Sequence, residues 1–141
     1  MNIELKPYSA LILSLSGFIL TGMGLYFIFV RPPLLPEDFR YMGLTSRNVD
    51  NNMPGILNWL QKVFWVMGSY IFTAGVFTIY ISRTSFLTRL PASFIIITLT
   101  WISSIGAMTV VNFIIASDFK WLLLLFNLPW VTALILYRFH K

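Results

Sequence analysis

Four long stretches without a charged side chain dominate the pattern of this chain: residues 9–30, 63–82, 92–117 and 121–137. In helical form, the 22 residues of the first reach about 33 Å and the 20 of the second about 30 Å, enough to cross the hydrocarbon of a bilayer. The third, 26 residues from Ala92 to Ser117, exceeds that need and predicts a tilted helix or one that emerges at an end. The fourth, Trp121 to Tyr137, has 17 residues and lies at the short end of the range. The first stretch reads as a retained span. It is longer than the apolar core of a secretory leader and ends FIFVRPP, with bulky side chains where cleavage needs small ones. The pattern predicts an all-α protein, one four-helix transmembrane bundle over residues 1–141.

The break in the pattern is the segment from Arg31 to Lys62, with three of the five acidic residues and four of the ten Lys/Arg. Pro32-Pro33 stops the first helix. LPEDFRYMG then predicts a short helix over 36–43. Pro36 suits its first turn, Glu37 and Asp38 complement its positive end, and Gly43 supplies a stop. Leu35, Phe39 and Met42 fall on one face, so this helix would lie on the membrane surface or cap the bundle. Asn51-Asn52 offer caps and Pro54 a first-turn residue, which predicts the next helix from about 54. Asp118-Phe119-Lys120 is a tight connection that makes the last two spans an antiparallel hairpin.

Composition agrees with the pattern. At 57% hydrophobic and 11% charged residues, with a mean hydropathy of +0.78, the chain lacks the polar side chains to cover a water-facing surface. The net charge of +5 does not point to nucleic acid, because the cations stand singly at the ends of apolar runs, where they meet lipid headgroups. Cysteine is absent, which removes disulfides and thiolate metal sites. Lys6, Arg83, Arg89, Arg138 and Lys141 share one side, and Arg31, Arg40, Arg47, Lys62 and Lys120 the other. That five-to-five balance leaves the positive-inside rule without a preference. Four of the five acids lie on the long-loop side, and the expectation is therefore cytoplasmic termini with the loop outside, in a cell membrane.

Small residues four apart suggest packing faces: Gly17 and Thr21 on the first span, Ser69 and Thr73 on the second. Polar residues inside spans are costly and so informative. Asn112 and Asn127 fall at similar depths on the two arms of the hairpin, either bonded to each other or lining a cavity under Glu37, Asp38 and Arg40. Pro129 frees the carbonyl of Leu125 in the same region. The lone His140 excludes a bis-histidine haem, no span holds a carboxylate or cation for proton coupling, and no serine has an in-span base to activate it. Catalysis, a cofactor and a bound metal are therefore not indicated.

The segment LPEDFRYMGL, Leu35 to Leu44, followed by the glycine-bearing WVMGSYIFTAG, Trp65 to Gly75, resembles small, uncharacterised bacterial four-span membrane proteins with an LPxDxx[FY]xGL segment after the first span. Charged residues precede the glycine in those proteins, whereas this chain has Phe64-Trp65-Val66-Met67. The resemblance implies architecture and bacterial origin, and no activity. The functional expectation is a non-enzymatic accessory or partner-binding subunit, its partners the lipid bilayer and a second copy or another membrane protein. The alternatives are a binder of an apolar ligand, a lipid or quinone, in a cavity capped by the 31–62 loop, and a small oligomeric transporter.

Overall fold

The four apolar stretches are helical in the computed structural model, which describes residues 6–53 and 55–139. The first span is α1 (Lys6–Phe29), and the polar segment forms α2 (Pro36–Met42) and α3 (Ser46–Asn52). The second span is α4 (Ile56–Ile81), continued by a π-turn at Ser82–Phe86. The third is α5 (Ser93–Trp101), a π-turn at Ile102–Gly106, and α6 (Ala107–Ile114). The fourth is α7 (Lys120–Phe139), which contains Pro129. Among the described residues there is no strand. Four helices are long and apolar enough to cross a membrane: Pro7–Phe29, Ile56–Phe86, Ser93–Ile114 and Lys120–Phe139. The chain is thus an all-α, four-helix bundle with the character of a membrane protein.

Helix ends follow local chemistry. At the end of α1 the amides of Val30 and Arg31 both donate to the carbonyl of Tyr26, at 2.9 and 2.8 Å, before Pro32-Pro33 forbids another turn. The helix α2 closes on Gly43 at φ 65°, with Gly43 N–H bonded to Arg40 O and Leu44 N–H to Phe39 O, a Schellman motif. The helix α3 was not expected. Its SRNVDNN sequence is made largely of weak helix formers with a single apolar residue, Val49, so neither propensity nor periodicity announces it. Thr45 caps it by accepting from Asn48 N–H, and Val49 anchors it, buried to 4% exposure. Asn51 and Asn52, read from sequence as caps for the second span, belong to the backbone of α3 instead. The helix α4 begins at Ile56 behind Gly55, at φ 91°, and Pro54 lies outside the described residues.

The closest contact in the bundle joins α1 to α4. A Cβ placed on Gly24 would sit 2.5 Å from the backbone nitrogen of Phe72, and one on Gly75 would sit 2.5 Å from that of Thr21. The two helices therefore meet backbone to backbone, which only hydrogen at these positions allows. Thr21 contributes by turning its hydroxyl onto its own helix, donating to Gly17 O at 2.9 Å. Gly17 and Thr21 lie on this seam, whereas Ser69 and Thr73 do not. Both are exposed and donate to carbonyls of their own helix, Trp65 O and Ser69 O. The face of α4 that meets α1 is rotated from them and carries Gly68 and Gly75. The four-residue spacing of Ser69 and Thr73 thus marks an exposed face of α4, away from the contact with α1.

The helix α7 packs on the other flank of α1, sealing a core of Leu13, Leu20, Phe86, Ile97, Trp130 and Ala133. The third span leans on α7 and meets α4 at few points.

The seam yields a prediction with its own control. Gly24→Ala and Gly75→Ala must push backbone apart, at a cost of about 1–3 kcal/mol each, whereas Gly22, with nothing within 4 Å of its would-be Cβ, should accept alanine without loss. Thermal unfolding in mild detergent, followed by circular dichroism, should lower the midpoint of the first two variants and leave Gly22→Ala at or above the parent.

Candidate functional site: the lid and the polar contacts beneath it

The segment between α1 and α4 is pinned to the bundle at several points. Arg31 lies flat over the ring of Phe64, its guanidinium carbon 3.6 Å from the centroid, and 5.3 Å from that of Phe27. The same guanidinium pairs with Asp38 at 3.3 Å, and Asp38 also accepts from the Leu35 amide at 2.8 Å, closing the first turn of α2. Burial against these rings pushes the Arg31 pKa down from its ordinary value, opposed by the nearby Asp38, Tyr26 and Glu37. Gln61, at the start of the second span, donates to Arg31 O at 3.5 Å. The chain leaving α1 and the chain entering α4 are thereby tied together.

Glu37, next in sequence to Asp38, faces the other way. It is only 3% exposed, and its Oε1 accepts from the Ser117 hydroxyl at 2.9 Å. Ser117 Oγ in turn accepts from Phe119 N–H at 3.1 Å, within the turn that joins the third and fourth spans. Arg40 reaches the same turn through a 2.8 Å pair with Asp118, both exposed, a contact worth under about 1 kcal/mol. The two adjacent acids of α2 have separate tasks. Asp38 closes its own helix onto Arg31, and Glu37 docks that helix on the 117–119 turn. Ser117 carried no signal by itself, since a serine at the end of an apolar run is ordinary.

The two asparagines do not bond to each other. Asn112 is half-buried and donates back to Met108 O at 2.9 Å on its own helix. Asn127 is buried, and both its N–H donors and its carbonyl oxygen are engaged. Its Oδ1 accepts from Trp101 Nε1 at 2.7 Å, and its amide donates to Thr109 Oγ1 at 2.8 Å and Leu123 O at 2.7 Å. Thr109 passes its own proton to Ile105 O at 2.7 Å. Asn127 is seven residues along α7 from Lys120, or about 10 Å deeper than the lid. Trp101 was the missed member, and its signal was available: an indole N–H at mid-span requires an acceptor.

A second polar cluster, at the opposite end of the bundle, joins α1 to the π-turn after α4. Arg83 Nε donates to Ser14 Oγ at 3.0 Å, and the Ser14 and Ser82 hydroxyls are 2.6 Å apart. Ser14 and Ser82 also reach Ala10 O and Ile79 O. These contacts are structural, since each hydroxyl has a carbonyl of its own helix to satisfy. Among the described residues no three His, Cys, Asp or Glu side chains gather as a metal site would need.

Grooves also open between the helices on the outer face of the bundle. One, about 440 Å³, lies between α4 and the third span, with Ala74, Thr100, Ser103 and Ser104 among its lining. The other, about 390 Å³, lies between α5 and α7 at the end of the bundle where α1 begins and α7 stops. Neither is lined by Asn112, Asn127 or Glu37.

Replacing Asn127 with leucine strands the Trp101 indole and removes one tie between the third and fourth spans, at a cost of about 1–3 kcal/mol. Asn112→Leu removes only a bond within one helix and should cost less than about 0.5 kcal/mol. Unfolding midpoints in detergent should rank the two in that order. Comparison with known proteins adds no relative to this geometry: no protein-family model, curated protein or solved structure matches the chain.

Proposed function

We propose that this chain is a non-enzymatic integral membrane subunit that binds a transmembrane helix, of a partner protein or of a second copy, in the groove between α4 and the third span. The groove itself carries the reading. It is open to lipid and mid-span, and small side chains, Ala74, Ser103 and Ser104, let another backbone approach closely. The hydroxyls of Thr100 and Ser103 make no demand on a polar ligand, because they donate to Ile96 O and Leu99 O of their own helix. Ser103 and Ser104 also lie in the π-turn at Ile102–Gly106, an irregularity that is often kept at working surfaces. Ser69 and Thr73, exposed on α4, extend the small-residue surface beside it.

The reading includes insertion in a bacterial inner membrane with both termini cytoplasmic. In support, the acids Glu37, Asp38 and Asp118 lie at the lid end, while cations stand at both ends, Arg83, Arg89 and Arg138 at one and Arg31, Arg40, Arg47, Lys62 and Lys120 at the other. A lipid or quinone held between Asn112 and Asn127 has less in its favour, since both N–H groups of Asn127 are bonded within the bundle and neither groove is lined by these residues.

A photo-crosslinking side chain at Ser103 tests the proposal in native membranes. A discrete protein adduct that disappears on Ser104→Trp is expected. Lipid adducts alone, equal to those from a probe at the exposed Val110 of α6, would refute it.

A further inference from the structure

The groove between α5 and α7 differs from the first in having a charged end. From α5 it takes Phe94, Thr98 and Trp101, and from α7 Val131, Leu134 and Arg138. On each helix those residues span seven positions, so the groove runs about 10 Å along the bundle, most of the depth of one leaflet. Its polar atoms are spoken for until the rim. Thr98 donates to Phe94 O at 2.7 Å, and the Trp101 indole at the deep end donates to Asn127. Up to its rim, then, the trough offers apolar surface and no free donor.

Among the described residues the rim is positive and uncompensated. Arg138 is exposed and makes no hydrogen bond or ion pair with the described residues. Close by, Arg89 stacks on Tyr137, its guanidinium carbon 4.6 Å from the ring centroid, and Tyr137 stacks in turn on Phe94 of the groove wall. Arg89 has no carboxylate partner among the described residues, and its Nη2 has no hydrogen-bond acceptor. Glu37, Asp38 and Asp118, whose side chains are described, belong to the lid and the 115–119 turn at the far end. An apolar trough that ends at cations, with no described carboxylate beside them, matches a molecule with a long apolar tail and an anionic head. It does not match a zwitterionic lipid, whose ammonium group finds no carboxylate there among the described residues.

We propose that this groove seats one acyl chain of an anionic phospholipid, whose phosphate is held by Arg138 within the positive field of Arg89. Trp101 is the floor on which the tail ends, and Asn127 fixes the indole in place. The site is separate from the helix-binding groove, on the opposite side of the third span, and stands or falls independently of it.

Native mass spectrometry of the full chain in mild detergent, offered phosphatidylglycerol or phosphatidylcholine with identical tails, tests this. One phosphatidylglycerol per chain should bind at least about tenfold more tightly than phosphatidylcholine. Arg138→Gln should remove about tenfold of that affinity, the size expected for one charge-assisted contact, and leave phosphatidylcholine unchanged. Leu134→Trp, which fills the trough, should weaken both lipids, and Arg47→Gln on the lid should alter neither. Because Arg138 is exposed, its substitution leaves the fold intact even if Leu134→Trp does not. Equal binding of the two lipids would overturn the proposal, as would a preference untouched by Arg138→Gln. Displacement of phosphatidylglycerol by millimolar inorganic phosphate would also overturn it, by showing a bare anion site.

Discussion

The direct backbone contact between α1 and α4 is the constraint from which the rest of this bundle follows. In hydrocarbon there is little hydrophobic gain when two helices meet, so association depends on close packing. Hydrogen in place of a side chain at Gly24 and Gly75 permits that closeness, and side chains such as Thr21 turn back onto their own helix to preserve it. Because α4 is drawn onto α1, and α7 occupies the other flank, α1 becomes the hub. Of the most apolar part of each span, 33% is buried in the first but only 17% in the second and third. The third span is left attached mainly through α7, partly by the Trp101–Asn127–Thr109 bonds, and a gap opens between it and α4. Both grooves are consequences of where that span rests.

Polar groups in this protein divide by location into two kinds of work. Inside the spans most hydroxyls are silent, each returned to a carbonyl one turn earlier, while Asn127 links the third span to the fourth and Ser14 links the first to Ser82 of the second. At the lid end they act between elements. Arg31 is clasped by two aromatic rings and Asp38, Glu37 is buried against Ser117, and Arg40 meets Asp118. The exposed Arg40–Asp118 pair contributes little energy. The buried Glu37–Ser117 bond matters more, because losing Ser117 would leave a carboxylate desolvated without that partner. The lid is thus held at its two ends by different means, aromatic stacking toward α1 and α4, and a carboxylate–hydroxyl bond toward the hairpin turn.

Much of this was legible in the residues. Charge-free length gave the four helices, and Pro36, the two acids and Gly43 gave α2 nearly to the residue, because those signals act within one turn. The helix α3 was hidden, since its stability comes from Thr45 and the burial of Val49, a tertiary fact. Ser69 and Thr73 show the limit of spacing rules: a period of four recurs on every face of a helix, and only contact with α1 selects the face that carries Gly68 and Gly75. Asn127 stood out because a buried amide is expensive. Its partner Trp101 did not, because a tryptophan in an apolar run has an ordinary explanation as an anchor. The two grooves could not be read at all, as they are made by the spacing between helices.

Tight binding of α1 to α4, with α4 and the third span standing apart, is the arrangement on which the rest of the bundle depends. The natural absence of cysteine makes it directly measurable by paired substitution. Ser14→Cys with Ser82→Cys replaces hydroxyls 2.6 Å apart across the α1–α4 contact, and Tyr70→Cys with Ser103→Cys spans the open groove. Under mild oxidation in membranes, the first pair should form a disulfide rapidly and the second should remain reduced. A Tyr70–Ser103 pair that closes as readily as Ser14–Ser82 would show the second and third spans in contact, and would contradict the account.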